Sequence, residues 1–261
     1  MKNPVKRALC AALTLALMPA APAFADPATS GSTPGMAASS AAGTFRPAIT
    51  TRSILIDASS ATLFMLEGGH IVDSMKVIVG KPDAPTPELK TSVAYATFNP
   101  YWNVPPEIAR TLTAPNVLKY GLSYLSDRGY EVVSSFDDDA QILDPASVDW
   151  QAVADGTTTV MVRQRPGPAN SMGRVKFALA SGDGIYLHDT PRKELFAQDE
   201  RDLSHGCVRL EDAPRLARWL LGDEMPANAA APEDRVALDR YVPVTITYLS
   251  PEADAQLASL R

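Results

Sequence analysis

Reactive side chains are scarce in this 261-residue chain, which has only two cysteines and three histidines. One of the cysteines, Cys10, lies in an N-terminal segment with the features of a secretory signal. Basic residues open it, an apolar run too short to span a membrane follows at 8–17, and residues 23–25 form a small-x-small cleavage site. We therefore predict that residues 1–25 are a cleaved signal peptide and that the mature protein is exported to the periplasm or cell envelope.

Loss of this segment leaves Cys207 as the only cysteine of the mature chain, so no internal disulfide can form. A lone thiol in an oxidising compartment is prone to oxidation. This favours a chemical task for Cys207 over a packing role.

An excess of positive charge is also absent. The predicted signal carries Lys2, Lys6 and Arg7, so 21 of the 24 basic residues remain against 30 acidic ones, a net charge of −9. Proteins that bind nucleic acid present clustered lysine and arginine to the phosphates. We therefore expect no nucleic acid among the partners.

The remaining chain divides into three predicted segments. Residues 26–48 are rich in small and turn-forming residues and predict a flexible tether. Residues 49–250 are predicted to form the folded domain, and residues 251–261 a C-terminal tail. The strands are short, linked by hairpins and mixed with few helices, which predicts a mostly β fold with helical additions (α+β), either a sandwich or a barrel.

Local signals place several elements. Gly68 and Gly69 predict a hairpin turn. Asp212 as N-cap, Pro214 in the first turn and Gly222 as the stop predict a helix. The predicted strands cover residues 53–57, 62–67, 71–79, 91–98, 130–133, 158–163, 174–180, 184–187 and 244–249, and the predicted helices cover residues 107–112, 114–125 and 212–222.

The segment Ser204–Leu210, with sequence SHGCVRL, surrounds the lone thiol with chemically useful groups. The small neighbour Gly206 leaves backbone N–H groups that can point at a developing oxyanion. The predicted helix begins soon after, and a nearby helix N-terminus favours a thiolate at Cys207.

Two histidines are candidate bases for this thiol. His188 ends the predicted strand 184–187 and can take the thiol proton, with Asp189 or a nearby backbone carbonyl orienting its other ring nitrogen. His205 lies two residues before Cys207 and can act as a base, an oxyanion donor or a packing group. Arg209, two residues after Cys207, suits either a substrate carboxylate or a surface ion pair with Glu211 or Asp212.

A metal site is the main chemical alternative, because His188, His205 and Cys207 are acceptable zinc ligands. Their spacing matches none of the zinc motifs, and neither CxxC nor HExxH occurs. Residues 137–139 are three aspartates without the glycine and glutamate of a calcium loop. We read His70 as a surface residue and expect neither a metal nor a cofactor.

The residues Tyr186–Pro191, Leu195, Phe196, Arg201 and Ser204–Leu210 resemble the active-site signature of the L,D-transpeptidases (YkuD-type catalytic domain). Residues 99–105 and 167–170 resemble two further segments of the branch with a large lid insertion. The resemblance implies a β-sandwich-like catalytic fold in which residues of about 104–165 form a capping lid.

The same resemblance implies a cysteine acyltransferase (EC 2.3.2) that acts on peptidoglycan. Cys207 would be the nucleophile and His188 the base, and the N–H groups of Gly206 and Cys207, with His205, would hold the oxyanion. The thiolate would attack a tetrapeptide stem, release D-alanine and transfer the acyl group to an amine of a second stem, giving 3-3 cross-links. Carbapenems are the implied covalent inhibitors. The implied substrate contacts are Arg209, Tyr186, Ser204, Asn170 and Trp102.

Other acceptors remain open at this point. Water would make the protein an L,D-carboxypeptidase or endopeptidase, and another amine would give a 1-3 cross-link or attach a protein to the wall. A wall-binding protein without activity and a zinc hydrolase are the remaining alternatives.

Overall fold

The structure is a computed structural model that describes residues 51–182, 184–222, 226 and 231–258. The predicted signal peptide (1–25) and tether (26–48) lie outside the described residues. Within the described ranges, no helix combines the length and apolar character needed to cross a membrane.

Strands dominate the part of the chain that the structure describes. The strands are β1 (Arg52–Asp57), β2 (Thr62–Glu67), β3 (His70–Gly80), β4 (Leu89–Phe98), β5 (Trp102–Asn103), β6 (Tyr130–Val133), β7 (Ile142–Leu143), β8 (Met161–Gln164), β9 (Val175–Leu179), β10 (Tyr186–His188), β11 (Asp202–Ser204), β12 (Val208–Leu210) and β13 (Asp234–Thr247). The helices are α1 (Pro106–Ile108), α2 (Ala114–Tyr120), α3 (Ser123–Asp127), α4 (Trp150–Ala154), α5 (Ala213–Leu221) and α6 (Pro251–Ala258), with 3-10 turns at Pro145–Ser147 and Lys193–Ala197 and a π-helical turn at Ala109–Thr113. This confirms the predicted mostly β fold with helical additions.

The main sheet closes on itself. Its strand order is β11-β3-β12-β10-β9-β4-β13-β1-β2, and β2 also pairs with β3, so the strands from β3 round to β2 form a ring. Closure removes the open edges that a flat sheet would expose. One hydrophobic cluster fills the interior, with Ile56, Met65, Val77, Phe177 and Ile246 among its buried members.

Helix α5 packs on this interior through Leu216, Ala217 and Leu220. Asp212 caps its N-terminus, since its carboxylate accepts the Arg215 N–H at 2.9 Å. Gly222 ends it with a φ of 57°, the left-handed conformation that glycine adopts most readily. The prediction for this helix is confirmed because capping, apolar periodicity and stop signal agree.

A second, smaller sheet lies between β4 and β9 in the sequence, with the order β5-β8-β6-β7. It has a hydrophobic cluster of its own, which includes Val104, Val117, Trp150 and Val162. We call residues 102–164 the inserted subdomain. Its helices differ from the prediction of one helix over 114–125, because Gly121 takes a φ of 80° and separates α2 from α3.

Strand β13 is also longer than predicted, beginning at Asp234 rather than near residue 244. Its first half, DRVALDR, carries charged residues that weaken the strand signal. Arg235, Asp239 and Arg240 are exposed. The apolar residues Leu238, Val242 and Val244 are buried.

A buried amide joins the chain segments that enter and leave the inserted subdomain. The Asn170 side chain is 1% exposed and donates to the carbonyl oxygens of Pro100, Gln164 and Arg165 at 2.9 to 3.2 Å. The side-chain oxygen of Asn170, Oδ1, accepts the Met172 N–H at 2.7 Å. One side chain therefore satisfies four backbone groups at the base of the inserted subdomain.

Replacement Asn170→Ala is expected to lower the free energy of unfolding by about 3 kcal/mol, because buried carbonyls and an amide lose their partner. Urea unfolding followed by circular dichroism measures the change. Gln151→Ala is the matched control, since this exposed amide makes one hydrogen bond, to Asp155, and its loss should shift stability by less than about 0.5 kcal/mol. Equal effects of the two substitutions would contradict the anchoring role of Asn170.

Candidate active site

Two adjacent parallel strands position the predicted catalytic residues. Strand β10 pairs with β12 in a register that places Leu187 opposite Val208 and His188 opposite Arg209. Leu187 and Val208 are fully buried in the core. Because side chains alternate along a strand, His188 and Arg209 face the outer side, and Cys207, just before β12, lies beside them.

The Cys207 thiol is half-buried, and its Sγ lies 3.8 Å from the carbonyl oxygen of Gly184, to which it donates. Burial raises the pKa of this thiol, while a hydrogen bond from the Tyr186 backbone and the charge of Arg209 act in the opposite direction. The raised pKa means that the free protein holds a protonated thiol at neutral pH. Attack by this sulfur therefore requires a base.

His188 has the geometry of that base. Its Nδ1 lies 2.5 Å from the carbonyl oxygen of Asp189, and a carbonyl can only accept. Nδ1 therefore carries the proton and Nε2 keeps its lone pair. Burial lowers the pKa of His188 to about 4, against the opposing effect of the hydrogen bond from its ring to Asp189. The imidazole is neutral near pH 7 and able to accept a proton.

The Asp189 carboxylate helps to hold the ends of β10 and β12 together through Lys193. It accepts a hydrogen bond from Lys193 Nζ at 2.7 Å. The same ammonium donates to the backbone carbonyls of Leu210 at 3.1 Å and Glu211 at 2.7 Å, just where β12 ends. A Cβ at Gly173 would lie 2.4 Å from the carboxylate, so this close approach requires glycine there.

Ser204 stabilises the turn before Cys207 through two hydrogen bonds. Its Oγ donates to the Cys207 carbonyl at 2.6 Å and accepts the Gly206 N–H at 3.1 Å. Ser204 is 1% exposed. The resemblance implied substrate contact for Ser204 and an oxyanion role for the Gly206 N–H, whereas the structure bonds these two groups to each other. Both shape the turn that presents Cys207.

His205 is exposed and belongs to a basic neighbourhood. Burial lowers its pKa, and the nearby charges of Lys81 and Arg209 lower it further. Of the two histidines, only His188 is both buried and oriented by a hydrogen bond. Sequence alone does not show this difference, because His205 is the histidine that lies nearer to Cys207 in the chain.

Arg209 is half-buried, and burial lowers its pKa, with the Arg192 charge acting in the same direction. Neither carboxylate considered as its surface partner pairs with it. Glu211 accepts the Lys76 N–H at 3.2 Å, and Asp212 lies 3.8 Å from Arg215. Among the described residues, Arg209 has no carboxylate within ion-pair distance, and its charge is available at the outer face.

Three other predicted contacts fall in different places. Tyr186 is at the site, where burial raises its pKa and Cys207 and Tyr95 lie close enough to raise it further. The Asn170 amide makes its hydrogen bonds to backbone groups at the base of the inserted subdomain, as described above. Trp102 packs in the cluster of that subdomain, with its ring centroid 6.2 Å from that of Tyr130.

Lys176, which lies directly opposite His188 on β9, was not among the residues predicted from the sequence. Its Nζ is 2.9 Å from Glu233, and Glu233 also accepts the Tyr101 N–H at 2.7 Å. This ion pair links the face that carries His188 to the start of the inserted subdomain. The partners are 57 residues apart, so no local pattern could have revealed them.

Within the described ranges, no group of three histidine, cysteine or carboxylate side chains is arranged to hold a metal ion. His188, His205 and Cys207 therefore do not form a three-ligand cluster. His70, which was read as a surface residue, is exposed at the start of β3.

Comparison with known proteins shows the family to which this chain belongs. The sequence model of YkuD, the L,D-transpeptidase catalytic domain, matches residues 51–246. A Haemophilus influenzae protein provisionally named an L,D-transpeptidase is 34% identical over 168 residues, which are 64% of this chain and 33% of that protein. This chain thus spans about a third of that relative's length.

Solved structures of L,D-transpeptidases are also similar. The enzyme from Mycobacterium smegmatis is 18% identical, with 76% of this chain and 59% of that chain covered and a TM-score of 0.36. The complex of the L,D-transpeptidase LdtMt1 with imipenem is 14% identical, with the same coverage and a TM-score of 0.38. The extent of the match over residues 51–246 shows that the chain belongs to the YkuD family of L,D-transpeptidase catalytic domains.

Proposed function

We propose that this protein is a peptidoglycan L,D-transpeptidase in which Cys207 is the nucleophile and His188 the base. The observation that carries the proposal is that both groups are uncharged and lie on the same face of adjacent strands. A protonated thiol and a neutral imidazole, oriented by the Asp189 carbonyl, lie on one face of adjacent strands. This is the arrangement that a thiol needs for acyl transfer.

In the first half-reaction, His188 Nε2 takes the proton from Cys207 Sγ as the sulfur attacks the carbonyl carbon between the third stem residue and D-alanine. The carbonyl oxygen becomes an oxyanion. When the tetrahedral intermediate collapses, the C–N bond breaks and the imidazolium returns its proton to the departing amine. D-alanine leaves, and a thioester joins the stem to Cys207.

The second half-reaction determines the product. His188 takes a proton from the attacking amine of a second stem, the new amide bond forms, and the thiolate leaves and recovers the proton. Transfer to the side-chain amine of a diaminopimelate gives a 3-3 cross-link. Water in place of the amine would give hydrolysis with the same thioester.

Arg209 and Tyr186 are the residues that we assign to the donor stem. The guanidinium of Arg209 is half-buried without a carboxylate partner among the described residues, and a cation in that state favours an anionic ligand. A stem carboxylate meets this requirement. Tyr186, beside Cys207, would line the groove.

The reaction would take place outside the cytoplasmic membrane, because residues 1–25 have the pattern of a secretory signal. We further propose that carbapenems acylate Cys207, since a strained lactam carbonyl is attacked by the same thiolate.

Residues of about 104–165 would serve as the capping lid over the groove.

Incubation with a carbapenem should add one inhibitor mass to the intact protein. Cys207→Ala should abolish the gain, because the sulfur is lost. His188→Gln should slow acylation at least about 100-fold, since general base catalysis contributes about that much, whereas His205→Gln should weaken it by a few-fold. Intact-protein mass spectrometry against time measures all three, and His70→Ala, at an exposed site far from Cys207 in sequence, is the matched control.

A mass gain that survives Cys207→Ala would remove this residue as the nucleophile. Equal losses in the two histidine variants near Cys207 would overturn the assignment of His188 as the base, provided that circular dichroism shows both variants folded.

Purified mature protein incubated with sacculi or tetrapeptide stems should produce cross-linked dimers joined through the third residues, because the thioester is resolved by an amine. Chromatography and mass spectrometry of the muropeptides identify them. Tripeptide monomers without dimers would show that water is the acceptor and that the protein is a carboxypeptidase. The Cys207→Ala variant controls for cross-links already present in the sacculi.

The rate of carbapenem acylation should depend on pH in a way set by the two shifted groups. His188, with its pKa lowered to about 4, is neutral above that pH, so the rate should fall as the pH drops through about 4. It should stay nearly constant between about pH 5.5 and 8 and rise as the thiol itself ionises. Stopped-flow or mass measurements give the profile, with circular dichroism at each pH as the control for unfolding.

A bell-shaped profile with its acidic limb near the ordinary histidine pKa would contradict the neutral pair. It would indicate instead a thiolate beside an imidazolium in the free protein.

A further inference from the structure

The hydroxyl of Thr86 holds the peptide bond that precedes the nucleophile. Thr86 is 1% exposed and lies in the proline-rich loop between β3 and β4. Its Oγ1 accepts the Gly80 N–H at 2.8 Å and lies 2.9 Å from the carbonyl oxygen of Gly206. An amide N–H can only donate and a carbonyl can only accept, so the hydroxyl proton is directed at Gly206.

This contact fixes the direction of the Cys207 N–H. The carbonyl of Gly206 and the N–H of Cys207 belong to the same planar trans peptide, in which the two groups point in opposite directions. Because Thr86 holds the carbonyl, the Cys207 N–H must point away from Thr86. An oxyanion on the carbon bonded to Cys207 Sγ forms within reach of that N–H, so its direction matters for catalysis.

The neighbouring peptide groups are held by another side chain. Ser204 Oγ bonds the Gly206 N–H and the Cys207 carbonyl. Neither contact acts on the peptide between Gly206 and Cys207. Thr86 therefore fixes the peptide between Gly206 and Cys207, on which the Ser204 side chain does not act.

Close packing holds Thr86 itself in place. A Cβ at Gly80 would lie 2.3 Å from the Ala84 carbonyl oxygen and 2.5 Å from the Thr86 nitrogen, so the loop rests directly on the Gly80 backbone. On the other side, Tyr248 donates its hydroxyl to the Thr86 carbonyl at 2.8 Å. Gly206 has a φ of 109°, a conformation that L residues rarely adopt, so the turn depends on these contacts for its shape.

We infer that Thr86 is a positioning residue that orients the Cys207 N–H as an oxyanion donor. The inference rests on the proposed acyl transfer at Cys207. It also gives the proline-rich loop, residues 81–87, a role at the site, because Thr86 lies in that loop.

Two reactions of the Cys207 thiol distinguish a positioning role of Thr86 from a general structural role. Carbapenem acylation creates an oxyanion on a carbonyl carbon, whereas alkylation by iodoacetamide displaces iodide at a saturated carbon and needs no oxyanion donor. Thr86→Val removes the hydroxyl and keeps the side-chain shape. It should lower the acylation rate between about 10-fold and 100-fold, the upper end being the loss of one oxyanion donor, and leave the alkylation rate within about twofold.

Thr86→Ser should restore acylation to within a few-fold of the wild-type rate, since it returns the hydroxyl. Thr91→Val is the matched control, because the Thr91 hydroxyl has no hydrogen-bond partner among the described residues, and both of its rates should match the wild type. Thr86→Ala serves as a second hydroxyl-free variant if Thr86→Val does not fold.

Wild-type acylation rates in the hydroxyl-free variants would overturn the inference. So would equal losses of acylation and alkylation, which would mean that the whole turn is disordered. Failure of the wild-type protein to acylate at all would instead refute the proposed function.

Discussion

The parallel pairing of β10 with β12 is the constraint on which the site depends. It buries Leu187 and Val208 in the core and, by the alternation of side chains, turns His188 and Cys207 to the same outer face. A slip of one residue in the pairing would turn His188 or Cys207 toward the core. Two features oppose such a slip. The closed sheet leaves these strands no free edge. Lys193 also bonds both the Asp189 carboxylate and the Leu210 carbonyl at the strand ends.

Burial then sets the chemistry of the pair. It raises the pKa of the thiol and lowers that of the imidazole, so both groups are uncharged before substrate arrives. A neutral thiol is also less prone to oxidation, because oxidation proceeds through the thiolate. In the proposed reaction, the sulfur becomes a strong nucleophile only when His188 takes its proton during attack. The carbonyl of Asp189 and the fixed peptide at Cys207 are already oriented for the charges that then appear.

The sequence revealed the parts of the site that lie close together in the chain. Cys207 follows from its being the only cysteine outside the predicted signal peptide, and the helix after Asp212 follows from its caps. The family resemblance, rather than the spacing alone, chose His188 over His205 as the base. Long-range contacts escaped it, since Thr86 meets Gly206 across 120 residues and Lys176 meets Glu233 across 57. Ser204 and Asn170 were read as substrate contacts because they stand in recognisable segments. Burial, which no local pattern gives, shows that their polar groups are satisfied internally.

The central claim is that the free protein holds a protonated Cys207 beside a neutral His188. The ultraviolet absorbance of the thiolate, taken as the difference between the wild type and Cys207→Ala over a pH titration, tests it most directly. The account predicts no thiolate signal at neutral pH and its appearance only above the usual thiol pKa, because burial raises the pKa of Cys207. A full thiolate signal at neutral pH would contradict the account and indicate a preformed thiolate–imidazolium pair.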